Sequence, residues 1–160
     1  MATSKLAELV AIYQQQLASY TTMHALAEEQ RKCVETSNYP VLVEILERRD
    51  RIADEIAASS AQVRLLCQEI SQEMGLVEVN LSSLREKLSE RVLSPLANVL
   101  AEITAAIEKI QAADRESESQ LKQIFGLLRG QIPDRERSQL AARAYEQAVR
   151  GLSARNQQKN

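Results

Sequence analysis

The residues able to carry chemistry are few and scattered. The one histidine, His24, stands in an apolar stripe. A metal site in a helical bundle draws Glu-x-x-His pairs from several helices, and Thr21 stands where the acid would be. With two distant cysteines, His24 cannot complete a zinc set. Cys33 falls near a turn and Cys67 far from it; an offset of about 24 residues along a helix separates them by roughly 36 Å. A disulfide needs Cα atoms within about 7 Å, so both are expected to be free, reduced and packed. The densest charged run is Glu44, Glu47, Arg48, Arg49, Asp50, Arg51, Asp54 and Glu55. Read as chemistry, it offers paired carboxylates. Read as a helix, it gives Glu44–Arg48 and Glu47–Arg51 attractions and an Asp50–Asp54 repulsion on a solvated face. Arg49 lies within the apolar seam itself. It either snorkels past the stripe or pairs with an acid on a neighbouring helix. The glycines, at 75, 126, 130 and 151, build no phosphate loop, and no nucleophile elbow or Cys–His pairing is visible. The expectation is a non-catalytic protein with no cofactor and no metal.

These side chains sit on long periodic segments. From about Thr3 to Glu35, the positions Leu6, Val10, Tyr13, Leu17, Tyr20, His24 and Ala27 alternate spacings of four and three. A second stripe, Leu9, Ile12, Gln16, Met23, Leu26, Gln30 and Cys33, runs beside it, so the helix has a wide apolar face. Thr3 or Ser4 is the expected cap. Thr36 to Pro40 breaks the pattern, and so short a link makes its two helices antiparallel neighbours. A second helix is expected from about Pro40 to Met74, with the seam Leu42, Ile45, Arg49, Ile52, Ile56, Ser59, Val63, Leu66 and Ile70, ended by Gly75. Leu76 to Leu81 reads as a connector. Ser83 and Glu86 fit a capping box for a third helix reaching about Arg129. There, Pro95 either kinks the helix or follows a fresh start capped by Ser94.

The third seam runs through Leu96, Leu100, Ile103, Ile107 and Ile110. It turns polar at Asp114 and Ser117, residues of the kind that specify register, and is apolar again at Leu121, Ile124 and Leu128. Residues 134–152 carry a narrower stripe that includes Tyr145, and residues 153–160 are polar and expected to be disordered. The fold class predicted is all-α: an elongated antiparallel bundle of three long helices over residues 1–130, with a basic, partly disordered helix or tail over 131–160.

Composition agrees with helices. Gly (4) and Pro (3) are scarce, Trp is absent and Phe125 is the one phenylalanine, whereas good helix formers dominate. The formal charge is −2, which argues against a nucleic-acid partner. It is uneven: residues 1–130 hold 14 Lys/Arg against 19 Asp/Glu, and residues 131–160 hold 6 against 3. No apolar run of about 18 residues exists to insert into a membrane, and no signal-peptide core follows Met1, so a cytoplasmic location is expected. Three rods leave apolar surface over. The group Leu121, Ile124, Phe125, Leu127 and Leu128 is the candidate ridge for an amphipathic partner helix. Closure of the seams on a second copy, giving a structural coiled-coil homodimer, is the competing use.

The stretch Leu26-Ala-Glu-Glu-Gln-Arg, then Ser37-Asn38-Tyr39-Pro40-Val41-Leu42, then Glu47-Arg48-Arg49-Asp50-Arg51-Ile52, with Leu96 to Ile103 and Ala144-Tyr145 later, resembles the FlgN-type flagellar export chaperones of bacteria over about residues 5–150. The resemblance implies a cytoplasmic chaperone that binds the carboxy-terminal helical segment of secreted hook–filament junction proteins. Such a chaperone delivers them to the flagellar type III export gate. It further implies substrate contact through the third helix and the flexible tail, for which the apolar residues Leu121, Ile124, Phe125 and Leu128 are the candidates on this chain, and export-gate contact through a tail tyrosine, matched by Tyr145. Where the family often has two Asn three apart in that helix, this chain has Gln111 and Asp114, so the filament-cap chaperones stand as the alternative.

Overall fold

A computed structural model shows, in chain order, the α-helices α1 (Ala2–Glu35), α2 (Tyr39–Met74), α3 (Leu81–Arg85) and α4 (Glu90–Gly130). It describes residues 2–130 together with 143, 145–147 and 150; the side chains of 127–130 fall outside that set. No strand occurs among the described residues, and the fold class is all-α. No helix among them is long and apolar enough to cross a membrane. The expected helix over 134–152 and the polar end 153–160 lie outside the described residues, apart from the five positions named, which are helical.

The helix ends follow from a few residues. At the end of α1, the Asn38 N–H donates to the Cys33 carbonyl (2.8 Å) and the Ser37 N–H to that of Val34 (3.2 Å). This is the bonding of a Schellman stop, with Ser37 left-handed at φ 57°. Gly75 (φ 66°) ends α2 in the same way, the Leu76 N–H donating to the Ser71 carbonyl at 3.0 Å. Three sequence expectations shift. Thr3 and Ser4 lie inside α1, which begins at Ala2. The capping box is Asn80/Ser83 rather than Ser83/Glu86: Asn80 Oδ1 accepts the Ser83 N–H (2.8 Å) and Ser83 Oγ accepts the Asn80 N–H (3.0 Å). The break in the third region falls at residues 86–89 and not at Ser94-Pro95. The helix restarts at Glu90, and the Ser89 carbonyl accepts the N–H groups of Val92 and Leu93. Pro95 then lies inside α4, near enough to its start that the lost bond falls on Arg91, in the first turn.

The chain forms two compact units, one of Met1–Thr21 with Asp54–Ile107 and one of Thr22–Ala53 with Glu108–Asn160. The core of the first is built on Leu6, Leu9, Leu66, Ile70, Leu84, Leu93, Leu96, Val99 and Ile103. The short α3 belongs to it through Leu84, which is fully buried. In the second, Val34, Tyr39, Leu42 and Leu121 form a buried cluster, with Cys33, Leu46, Ile124 and Tyr145 packed against them.

In α1, the stripe with the cleaner spacing is not the one most deeply buried. Leu9, Gln16, Met23 and Gln30, one heptad apart, are all buried, whereas Tyr13, Leu17, Tyr20 and His24 are half-buried. The two glutamines of this stripe are buried with hydrogen-bond partners. Gln16 Nε2 donates to Ser59 Oγ (2.9 Å), Ser60 Oγ (3.0 Å) and the Ile56 carbonyl (3.4 Å) in the first unit.

Candidate functional site

The candidate face lies in the second unit, on the last turns of α4. Leu121 is buried (4% exposed) among Val34, Tyr39 and Leu42. Ile124 and Phe125, one turn on, are half-buried. The helix therefore passes from core to surface across a single turn, as an amphipathic stripe does where its cover thins. The Leu128 side chain lies outside the described residues.

Tyr145 stacks on Phe125, with ring centroids 5.3 Å apart and planes 14° from parallel. It is half-buried. Phe125 and Tyr145, expected from sequence to serve two different partners, thus touch each other. Parallel-offset aromatic pairs contribute about 0.5–1.5 kcal/mol beyond their area, a modest anchor for a single ring. Around Tyr145, the residues Arg143, Glu146, Gln147 and Arg150 are exposed.

The same unit holds a buried polar centre. The Arg49 side chain is 1% exposed. Nη1 and Nη2 donate to the two carboxylate oxygens of Asp114, at 2.6 and 2.8 Å; Nη1 also donates to Gln30 Oε1, and Nε to Met23 Sδ at 3.2 Å. One guanidinium from α2 therefore binds α1 and α4 together. Of the two fates open to Arg49, pairing with a neighbour's acid is the one adopted. Bidentate geometry of this kind is the strong form of the ion pair. The remaining members of the charged run, Glu44, Glu47, Arg48, Asp50, Arg51, Asp54 and Glu55, are exposed, as a solvated face requires. Sequence reading placed Arg49 and Asp114 in their seams but left their pairing open. Gln30 carried no signal beyond its heptad position.

His24 is partly exposed and lies 3.9 Å from Glu28 on its own helix. No cluster of three or more His, Cys, Asp or Glu suited to a metal occurs among the described residues. Cys33 and Cys67 are free and half-buried, and burial raises both thiols above their ordinary value of 9.0, with the Glu29 charge adding to the effect at Cys33.

Set against known protein families, curated proteins and solved structures, the chain matches none.

Proposed function

We propose that this is a cytoplasmic, non-catalytic helix-binding chaperone of the flagellar export kind. It receives the carboxy-terminal amphipathic helix of a hook–filament junction protein on the Ile124–Phe125 face of α4 and brings it to the export gate through its tail. The observation that carries the reading is the apolar turn at Ile124 and Phe125. It is half-exposed and already holds one aromatic side chain from another helical segment. A partner helix would use the same mode of contact with more residues. The finer architecture belonging to this reading is an antiparallel bundle of three long helices. Its support within the first unit is that Lys5 pairs with Glu73 and Gln16 with Ser59, so rising positions on α1 meet falling positions on α2.

The energetics are suited to delivery and release. Burying about 600 Å² of apolar surface grosses roughly 15 kcal/mol, most of which ordering and association costs consume. Micromolar to nanomolar affinity follows.

Fluorescence anisotropy of a labelled peptide carrying such a carboxy-terminal helix tests the reading. Ile124→Ala with Phe125→Ala is expected to weaken binding at least tenfold while the helical circular dichroism stays near that of the parent. Unchanged affinity in the double variant, or no binding by the parent protein, contradicts the proposal. Leu121 is unsuited to this test, because a charge at a buried core position disrupts the unit itself.

A further inference from the structure

Arg49 is the one charged residue that is fully buried among the described residues, and it stands where the seam of α2 otherwise runs Leu42, Ile45, Ile52 and Ile56. We propose that the Arg49–Asp114–Gln30 centre is a register lock for the second unit. It fixes which turn of α1, α2 and α4 face one another, a choice that the repetitive apolar seams leave nearly degenerate.

The argument is geometric. Arg49 donates to groups on two other helices: Asp114, the one carboxylate in the seam of α4, and Gln30, whose nearest like residue on its stripe, Gln16, lies two heptads away. A slip of one heptad is the displacement that keeps an apolar seam in phase with its neighbours. On α4 it would bring Ile107 or Leu121 to the place of Asp114. On α1 it would bring Met23 to the place of Gln30, or carry that place past the end of the helix at Glu35. A slip of α4 leaves the guanidinium facing hydrocarbon in place of its carboxylate, and a slip of α1 strips it of the Gln30 acceptor. A buried charge stripped of its partner is strongly destabilising, whereas a buried pair replaced by apolar residues of similar volume is often neutral or stabilising. The lock therefore works chiefly by penalising the wrong registers. The first unit has no counterpart among the described residues: its buried polar residue, Gln16, is uncharged and bonds to hydroxyls and a carbonyl.

The test compares Asp114→Leu alone with the pair Arg49→Met and Asp114→Leu, by thermal and urea unfolding and by two-dimensional amide NMR spectra. The single variant is expected to lower the folding equilibrium constant about 10²- to 10³-fold. The pair is expected to recover most of that loss, yet to give more than one set of amide peaks for residues 22–53 and 108–126, where the parent gives one. A double variant with a single, sharp peak set overturns the proposal, since the seams would then hold their register unaided. A double variant that remains as unstable as the single one, or does not fold, also overturns it, because the pair would then be stabilising rather than selecting. A loss below tenfold in Asp114→Leu would show that Arg49 is not sealed from water, and it counts against the lock as well.

Discussion

Lys5 lies against two carboxylates of α2, hydrogen-bonded to Glu73 and 3.6 Å from Glu69. The hydrogen bond to Lys5, reinforced by its charge, lowers the Glu73 carboxyl from its ordinary 4.5. A depressed carboxyl favours the folded state above the unfolded value, and that contribution disappears as pH falls through the folded one. NMR titration of the Glu73 side-chain carbonyl is expected to show a midpoint below 4.5, moving upward in Lys5→Ala; a midpoint indifferent to that change refutes the contact. The pair is solvent-facing, so its removal is expected to change stability little. Cys67 behaves in the opposite sense. Burial raises its thiol, leaving it neutral at pH 7, and only the thiolate reacts. Alkylation at pH 8 is expected to be several-fold slower in the native protein than in urea, and equal rates would show Cys67 to be open. That these thiols are free followed from the sequence, because a helical offset puts two residues out of bonding range. The partners of Arg49 were not legible, because a seam position specifies a face and not the side chain opposite.

The elements owe their boundaries to local bonding, which the sequence signals unevenly. Gly75 was legible because a glycine after a periodic run has one obvious use, the left-handed stop. Ser37 performs the same task with φ 57° without advertising it. A non-glycine residue in this conformation costs about 1–2 kcal/mol, and glycine costs about 0.5–1 kcal/mol in unfolded-chain entropy. Ser37→Gly is therefore expected to stabilise the protein by about 0.5–1 kcal/mol in urea unfolding, and a destabilised variant would contradict the turn geometry. The start of α3 is ambiguous in sequence because Ser83 is a good cap in isolation; Asn80, three residues earlier, is as good a cap and makes Ser83 its reciprocal partner. Replacing Asn80 by Ala removes the acceptor for the Ser83 N–H and is expected to cost about 1 kcal/mol. No loss would place the start of α3 elsewhere. Pro95 marks no break, because α4 begins five residues earlier at Glu90 and the one helical bond forfeited is that to the Arg91 carbonyl.

At the scale of the whole molecule, the three-four rhythm made the all-helical class legible. It did not reveal that the chain divides into two units, because each apolar seam runs on through both without a change of spacing. Gln16 and Gln30 are silent in a hydropathy pattern yet buried. The candidate face was only half legible. Phe125 and Ile124 stood out as apolar residues at the end of a helix, whereas the stacking of Tyr145 on Phe125 joins positions 20 residues apart in the chain and has no signature in spacing. A consequence follows for binding: a partner helix that reaches Phe125 must displace or accommodate the Tyr145 ring. Tyr145→Ala is expected to leave peptide affinity equal or up to several-fold tighter, and a large loss would mean that Tyr145 belongs to the binding surface. The central claim, that α4 offers a helix-binding face at its end, is tested most directly by titrating the isotope-labelled protein with an amphipathic helical peptide of a hook–filament junction protein and following the side-chain signals. The account predicts saturable shifts at micromolar concentration, greatest at the Ile124 methyls and the Phe125 and Tyr145 rings. Shifts confined to the first unit, or none at any concentration, would contradict it.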